Sequence, residues 1–293
     1  MLPQFDAGRP RRSVLYMPGA NARALEKART LDADALILDL EDAVAPDAKE
    51  EARAQVVAAV RQGGYGPREV VVRVNGLDTP WGAEDLAAVS GIGADGVLVP
   101  KVNGPGDLDA AAQLLTDEPL WAMMETPAAV FAAQEIAQHP LLCVMVMGTN
   151  DLVKELKAAR VPGRAPLVTA LQMSLLAARG AARIAIDGVF NGIKDEAGFR
   201  DECSQGRDFG FDGKTLIHPS QIAPCNEIFA PDAEAVADAR EIIAAFDAPE
   251  AKGKGVITVG GKMVELLHAE EARRLVAVAD AIAAKDAPGE GVS

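Results

Sequence analysis

The chain has 293 residues and a mass of 30.6 kDa, enough to bury a full core, and its 49% apolar and 25% charged residues place it among folded globular proteins rather than disordered ones. Lys and Arg number 29 against 43 Asp and Glu, and the resulting net charge of −14 excludes a general binder of nucleic acid or anionic membranes. Cys143, Cys203 and Cys225 are an odd number without a Cys-x-x-Cys or zinc spacing, which predicts thiols in a reducing compartment. Residues 1–12 lack an apolar core of signal-peptide length, and no window reaches the roughly 18 apolar residues of a membrane span. The expectation is a cytoplasmic protein.

Short β-rich runs alternate with Ala-, Leu-, Glu- and Arg-rich helical stretches from one end of the chain to the other. The runs fall at 13–16, 35–40, 69–74, 96–99, 120–124, 142–147, 182–189 and 214–217, with helices expected between them, as at 22–30, 48–62, 127–138 and 166–179. Eight such units, spaced close to the roughly 31 residues per unit of a 250-residue barrel, predict a (β/α)8 TIM barrel over 1–230. A doubly wound sheet would place a glycine-rich turn after its first strand, and Pro18-Gly19-Ala20-Asn21 is not one. Beyond His218 the pattern changes to a helix at 232–246, a strand-like piece at 256–259, Gly260-Gly261 and a final amphipathic helix. Residues 231–293 are therefore expected to form a C-terminal helical lid or subunit-contact segment.

In such a barrel, polar residues at the C-terminal strand ends converge on one mouth. The run ends supply Asp39, Glu41 and Asp42, then Arg73 and Asn75, Lys101, Glu125, Gly148-Thr149-Asn150-Asp151, Asp187 and His218, an acid-rich set. Glu125 and Asp151 end adjacent strands one unit apart. Two carboxylates without His or Cys suit a hard cation such as Mg²⁺, which accepts few protein ligands; the alternative is that each accepts loop amides. Arg73, in an apolar run, either faces a carboxylate ligand with its planar fork or pairs with Asp39 or Glu41, and both can hold together. Carboxylates around Lys101 keep it charged and ion-paired, which disfavours a lysine-imine aldolase. His218 is either a ligand contact or general acid, or a satisfied loop histidine. The amides of Gly148, Thr149 and Asn150 can face an anion, and Met123, Met124, Met145 and Met147 read as core filling.

The spelling of these run ends is specific. Arg12-Ser13-Val14-Leu15-Tyr16-Met17-Pro18-Gly19, Leu38-Asp39-Leu40-Glu41-Asp42-Ala43-Val44, Arg73-Val74-Asn75, Pro100-Lys101, Glu125-Thr126-Pro127, Gly148-Thr149-Asn150-Asp151-Leu152 and Gly210-Phe211-Asp212-Gly213-Lys214 through Ile217-His218-Pro219 form one ordered series. It resembles the citrate lyase beta subunit and malyl-CoA lyase group of the HpcH/HpaI aldolase superfamily, from about Arg12 to the final helix. The resemblance implies a TIM barrel that cleaves or forms a C–C bond between a CoA-thioester enolate and a 2-oxo acid. Mg²⁺ would be bound at Glu125 and Asp151, and Arg73 would hold substrate near the reacting carbonyl. Tyr16, Lys27, Ile217 and His218 would contact the substrate or its CoA portion. A tail residue acting across an interface implies a homo-oligomer, a trimer or a multiple of one.

Two positions depart from the family pattern. Active lyases generally carry Gly-x-Met-[Ile/Val]-Asp in the C-terminal segment, the Asp transferring a proton from a neighbouring subunit; here the run is Gly261-Lys262-Met263-Val264-Glu265. The extra methylene moves the carboxyl by about one bond length, and roughly 1 Å of misplacement can cost on the order of a hundredfold in rate. Asn21 stands where malyl-CoA lyases commonly have a basic residue, with Arg23 nearby. The expected activity is a Mg²⁺-dependent lyase for a malyl-, citramalyl- or citryl-type thioester, with Glu265 as proton carrier and the amides around Gly148–Asp151 binding the oxo acid. The alternatives are a malyl-CoA-type thioesterase, a carrier-dependent subunit of a multi-chain citrate lyase, and, disfavoured by the long tail, an aldolase for free 2-oxo acids.

Overall fold

The computed structural model describes residues 5–286; the outermost parts of the two expected segments, 1–4 and 287–293, lie outside the described residues. Eight parallel strands close into a barrel in sequence order: β1 (Ser13–Pro18), β2 (Ala35–Asp39), β3 (Glu69–Arg73), β4 (Gly96–Val99), β5 (Leu120–Met124), β6 (Leu142–Met147), β7 (Ile184–Asp187) and β8 (Gly213–Leu216). β1 pairs with both β2 and β8, so no edge is left open. The strands read as near-continuous apolar runs because each is covered on both faces, by the barrel interior on one side and helices on the other.

Side-chain alternation sorts the two faces. Val14, Ala35, Ile37, Val71, Leu98, Trp121, Met123, Val144, Val146 and Ile186 pack into one interior cluster. Their neighbours Leu15, Leu36, Leu38, Val70, Val72, Val97, Val99, Ala122, Met145 and Ala185 pack under the helices. At the N-terminal end Glu69 takes both oxygens to Arg11, at 2.5 and 2.7 Å, and the guanidinium stacks 4.5 Å from the Phe5 ring. The barrel interior is thus a filled core with charged side chains at its two ends.

Boundaries shifted where local chemistry intervened. The expected helix at 127–138 is two short ones, Pro127–Phe131 and Ala133–Ala137, and the one expected from 166 begins at Val168 after a 3₁₀ stretch, Pro162–Leu167. Within that stretch Gly163 and Arg164 have φ of 73° and 54°, which stops helical hydrogen bonding.

The described chain divides into two compact units, the barrel through Phe229 and a second unit made of residues 6–10 and 230–286. In the second, helices Ala233–Asp247 and Leu266–Asp286 pack together and are clasped by Arg240–Asp280 and Arg273–Asp247 ion pairs. The strand-like piece is one arm of an antiparallel hairpin, β9 (Val256–Val259) and β10 (Lys262–Glu265). Its turn, Gly260-Gly261, has φ of 57° and 79°, the double left-handed geometry that two-residue hairpins favour and that only glycine adopts without cost. All three cysteines are buried thiols, and no helix among the described residues is long and apolar enough to cross a membrane.

Candidate active site at the barrel mouth

Continuing the interior alternation by one step places the functional side chains. Val14 leads to Tyr16, Ile37 to Asp39, Val71 to Arg73, Met123 to Glu125 and Gly213 to Thr215. All five line a cavity of about 280 Å³, with Asp42, Gly148, Thr149, Asn150, Asp151 and Ile217 among its other walls. Of the residues singled out from sequence, Tyr16, Arg73, Glu125, Gly148, Thr149, Asn150, Asp151 and Ile217 are brought together. Lys27 is exposed on the helix Ala22–Ala28 and does not line the cavity. His218 is also outside the lining: its ring accepts the Ser220 amide and meets the Ser220 hydroxyl at 2.8 Å, capping the 3₁₀ turn that follows. Glu265 ends β10 in the second unit, its amide donating to His268 Nδ1 at 3.0 Å.

Arg73 holds Asp39 through two parallel hydrogen bonds of 2.7 Å and meets Glu41 at 2.5 Å and Asp42 at 3.4 Å. Its guanidinium lies 4.9 Å from the Tyr16 ring centroid. Asp39 in turn accepts the amides of Glu41 and Ala43, fixing the loop after β2. Burial opposes the charge on Arg73, but Asp39 outweighs it and the guanidinium stays protonated far above the working range. Burial pushes the Glu41 carboxyl up to about 7, against the pull of Arg73. Burial likewise raises the Tyr16 phenol well above its ordinary value.

Glu125, 1% exposed, accepts the Lys101 amide on Oε1 at 2.7 Å, while its Oε2 is buried with no hydrogen-bond partner. Burial raises its carboxyl. Lys101 Nζ lies 2.8 Å from Asp151 and 3.3 Å from Glu125. Burial opposes its charge, but the Asp151 hydrogen bond and the Glu125 charge hold the ammonium above its ordinary value, as the acid-rich run ends led one to expect. Gly148 makes this possible: a Cβ there would stand 2.3 Å from Glu125 Cβ and 2.8 Å from Oε2.

An orphaned carboxylate oxygen beside a second acid suits a hard cation that keeps most of its waters. Among the described residues no group of three or more His, Cys, Asp or Glu forms a fuller cage.

Two expectations need correcting. Asp187 does not face the mouth: on β7 it shares parity with Ala185, and it points between barrel wall and helices. There it pairs with Arg164 at 2.7 Å and Lys214 at 3.0 Å. Met123 and Met147, read as core, are buried but also line the cavity. Thr215 and Val189, also in the lining, were missed; the alternation Gly213-x-Thr215 is the signal that would have found Thr215. A larger cavity, about 410 Å³, lies beside the mouth along residues 159–167 and shares Thr149, Asn150 and Val189 with it. Its acids are Asp195, Asp201 and Glu202, and it contains neither Glu125 nor Asp151.

Residues 12–219 match the model of the HpcH/HpaI aldolase/citrate lyase family, and 168–282 that of the C–C bond lyases of the TIM-barrel fold. The chain is 53% identical to the (3S)-malyl-CoA thioesterase of Cereibacter sphaeroides over 94% of its own length and 96% of that protein's. It is 38% identical to the citrate lyase subunit beta of Escherichia coli K12, over 93% and 94%. The crystal structure of CitE from Mycobacterium tuberculosis with magnesium, acetoacetate and coenzyme A superposes with a TM-score of 0.75 at 30% identity, covering 92% of this chain and 97% of that one. A barrel mouth of this composition, on a chain matched over most of its length, identifies it as a member of the HpcH/HpaI aldolase/citrate lyase family.

Proposed function

We propose that the chain is a Mg²⁺-dependent enzyme acting on a short malyl-type CoA thioester, and that its overall reaction is hydrolysis to the free 3-hydroxy acid and CoA. The observation that carries the metal and the site is the pair Glu125 and Asp151, with Glu125 Oε2 orphaned, set across one cavity from Arg73. Hydrolysis is favoured over the lyase reading by the 53% identity, over nearly both full lengths, to a protein named a thioesterase. Carbon–carbon cleavage is the second reading, favoured by the likeness to a citrate lyase beta subunit and by a site suited to oxyanions.

Glu125 and Asp151 would hold the ion. Once bound, it would act as a Lewis acid toward the oxygen on which negative charge develops. Arg73, kept charged and aimed by Asp39, would meet the carboxylate or oxyanion of the acyl group through Nη1, the nitrogen not committed to Asp39, in exchange for its contact with Glu41. Tyr16 packs against the guanidinium and sets its plane. The Gly148 amide is committed to the Met124 carbonyl at 3.1 Å, so the neutral donors would be the amides of Thr149, Asn150 and Asp151, the first turn of the next helix, whose residues line the same cavity. We assign proton transfer to Glu265, contributed in trans within a homo-oligomer. Ile217 at the cavity wall and Lys27 on its exposed helix are assigned to the thioester and CoA portions.

Incubation of the purified protein with malyl-CoA and Mg²⁺, with products separated by chromatography, tests this. Free CoA and malate are expected. Acetyl-CoA with a 2-oxo acid would instead establish the lyase, and turnover only with an acyl carrier protein would establish a citrate lyase subunit. No product from any malyl-, citramalyl- or citryl-CoA would overturn the proposal.

A further inference from the structure

The position of Lys101 has a consequence for how the metal enters. Its ammonium lies 2.8 Å from Asp151 Oδ1 and 3.3 Å from Glu125 Oε1, in the space between the two acids assigned to Mg²⁺. The backbone that places it there is held from several sides. Lys101 has φ of 50°, a left-handed conformation uncommon for a residue with a side chain. Its amide donates to Glu125 at 2.7 Å and its carbonyl accepts Asn103 at 2.9 Å. Thr126, next to Glu125 in sequence, donates to Asn103 at 2.6 Å, tying this loop to the one that follows β5. The root of the side chain is therefore fixed, while the side chain as a whole is 36% exposed and has solvent to move into.

Without a counter-ion, two carboxylates this close, one of them nearly sealed from water, would repel. A cation held by both acids would compete with the ammonium for the same oxygens, and two positive charges sharing them would repel.

Resting on the metal reading above, we propose that Lys101 is the built-in counter-ion of the Glu125–Asp151 pair, lying between the two acids and swinging toward solvent when Mg²⁺ binds. Lys101 holds both acids in position before the ion arrives and lowers the affinity for it, because every binding event must break its two contacts. It is a positioning residue rather than a metal ligand.

Two measurements test this on the intact protein. Amine-selective acetylation at Lys101, quantified by mass spectrometry, should rise at least about threefold when Mg²⁺ saturates the site, because the ammonium is released to solvent. Labelling that stays level or falls would overturn the proposal. Calorimetric titration with Mg²⁺ should show Lys101→Met binding about tenfold more tightly than the unaltered protein, since the ion then has no ammonium to displace from the two acids. Equal or weaker binding would also overturn it. If Lys101→Met does not fold, the labelling decides alone. If neither protein takes up Mg²⁺, the metal reading itself falls and takes the proposal with it, an outcome distinct from normal uptake that does not depend on Lys101.

Discussion

Two strand-end aspartates of this barrel, Asp39 and Asp187, are each paired with an arginine, and the two pairs serve different ends. Arg73 and Asp39 cap β3 and β2 on the interior side and border an open cavity. Asp187, on β7, meets Arg164 and Lys214 on the helix-facing side, where Glu202 and Gln205 complete the cluster: Lys214 reaches Glu202 at 2.7 Å and Arg164 reaches Gln205 at 2.9 Å. Asp187 and Lys214 are fully buried. The carboxylates record the difference. Burial opposes ionisation of Asp187, but Lys214 and Arg164 prevail and hold its carboxyl below the ordinary range, whereas Glu41 at the mouth is pushed up to about 7. Charge at a strand end is therefore not enough to mark a site. The parity of the residue decides whether it meets substrate or a neighbouring helix.

If the mouth is built for chemistry and the jacket cluster for stability, substitutions should separate the two. The largest effect is expected at Glu125→Gln, which removes one of two metal-holding acids: kcat/KM should fall by about a thousandfold or more, with a melting temperature within a few degrees of the unaltered protein. Asp187→Asn should do the reverse. It strands Lys214 and Arg164 without their shared partner, at a cost of about 3–5 kcal/mol in denaturant unfolding, while kcat per folded molecule changes little. Equal losses of activity and stability in both variants would dissolve the distinction.

A smaller effect is expected at Gly148→Ala. The new methyl must push Glu125 aside, and a displacement of roughly 1 Å predicts about a hundredfold loss in kcat/KM that added Mg²⁺ only partly restores.

The smallest effects are in pH dependence, and the two regions should bend in opposite directions. Asp187 is held below its ordinary 3.8, so the stability it contributes is complete above that value and is lost as pH falls through the lower folded value. Asp187→Asn should flatten acid destabilisation below pH 3.8. Glu41 is raised from 4.5 to about 7, so its contribution is complete below 4.5 and is lost as pH rises toward 7. Glu41→Gln should flatten the decline in melting temperature across that window and leave the acid limb unchanged.

Much of this was legible in the sequence because the barrel repeats a local rule. Apolar runs at near-constant spacing gave the eight strands, and the residues ending them gave Arg73, Glu125 and Asp151. The pairing of Arg73 with Asp39, foreseen as one of two options, follows because adjacent parallel strands place these residues side by side. Asp187 was misplaced because the expected run, 182–189, is longer than β7, and a strand whose start is uncertain by one residue leaves its inward face undecided. The cavity beside the mouth was not legible at all. It depends on the irregular turn at Gly163 and Arg164, where φ is positive at a residue with no glycine signal to announce it. His218, left open between ligand and loop, is settled as a cap by its ring's contacts with the amide and hydroxyl of Ser220, two residues away.

The claim on which the rest stands is that the orphaned oxygen of Glu125 and the neighbouring Asp151 form the place where a divalent cation binds. Titration calorimetry with Mg²⁺ on the unaltered protein and on the Glu125→Gln/Asp151→Asn double variant addresses it most directly. One ion per chain in the first and no measurable heat of binding in the second is the predicted result; equal uptake by both, or none by the unaltered protein, would contradict it.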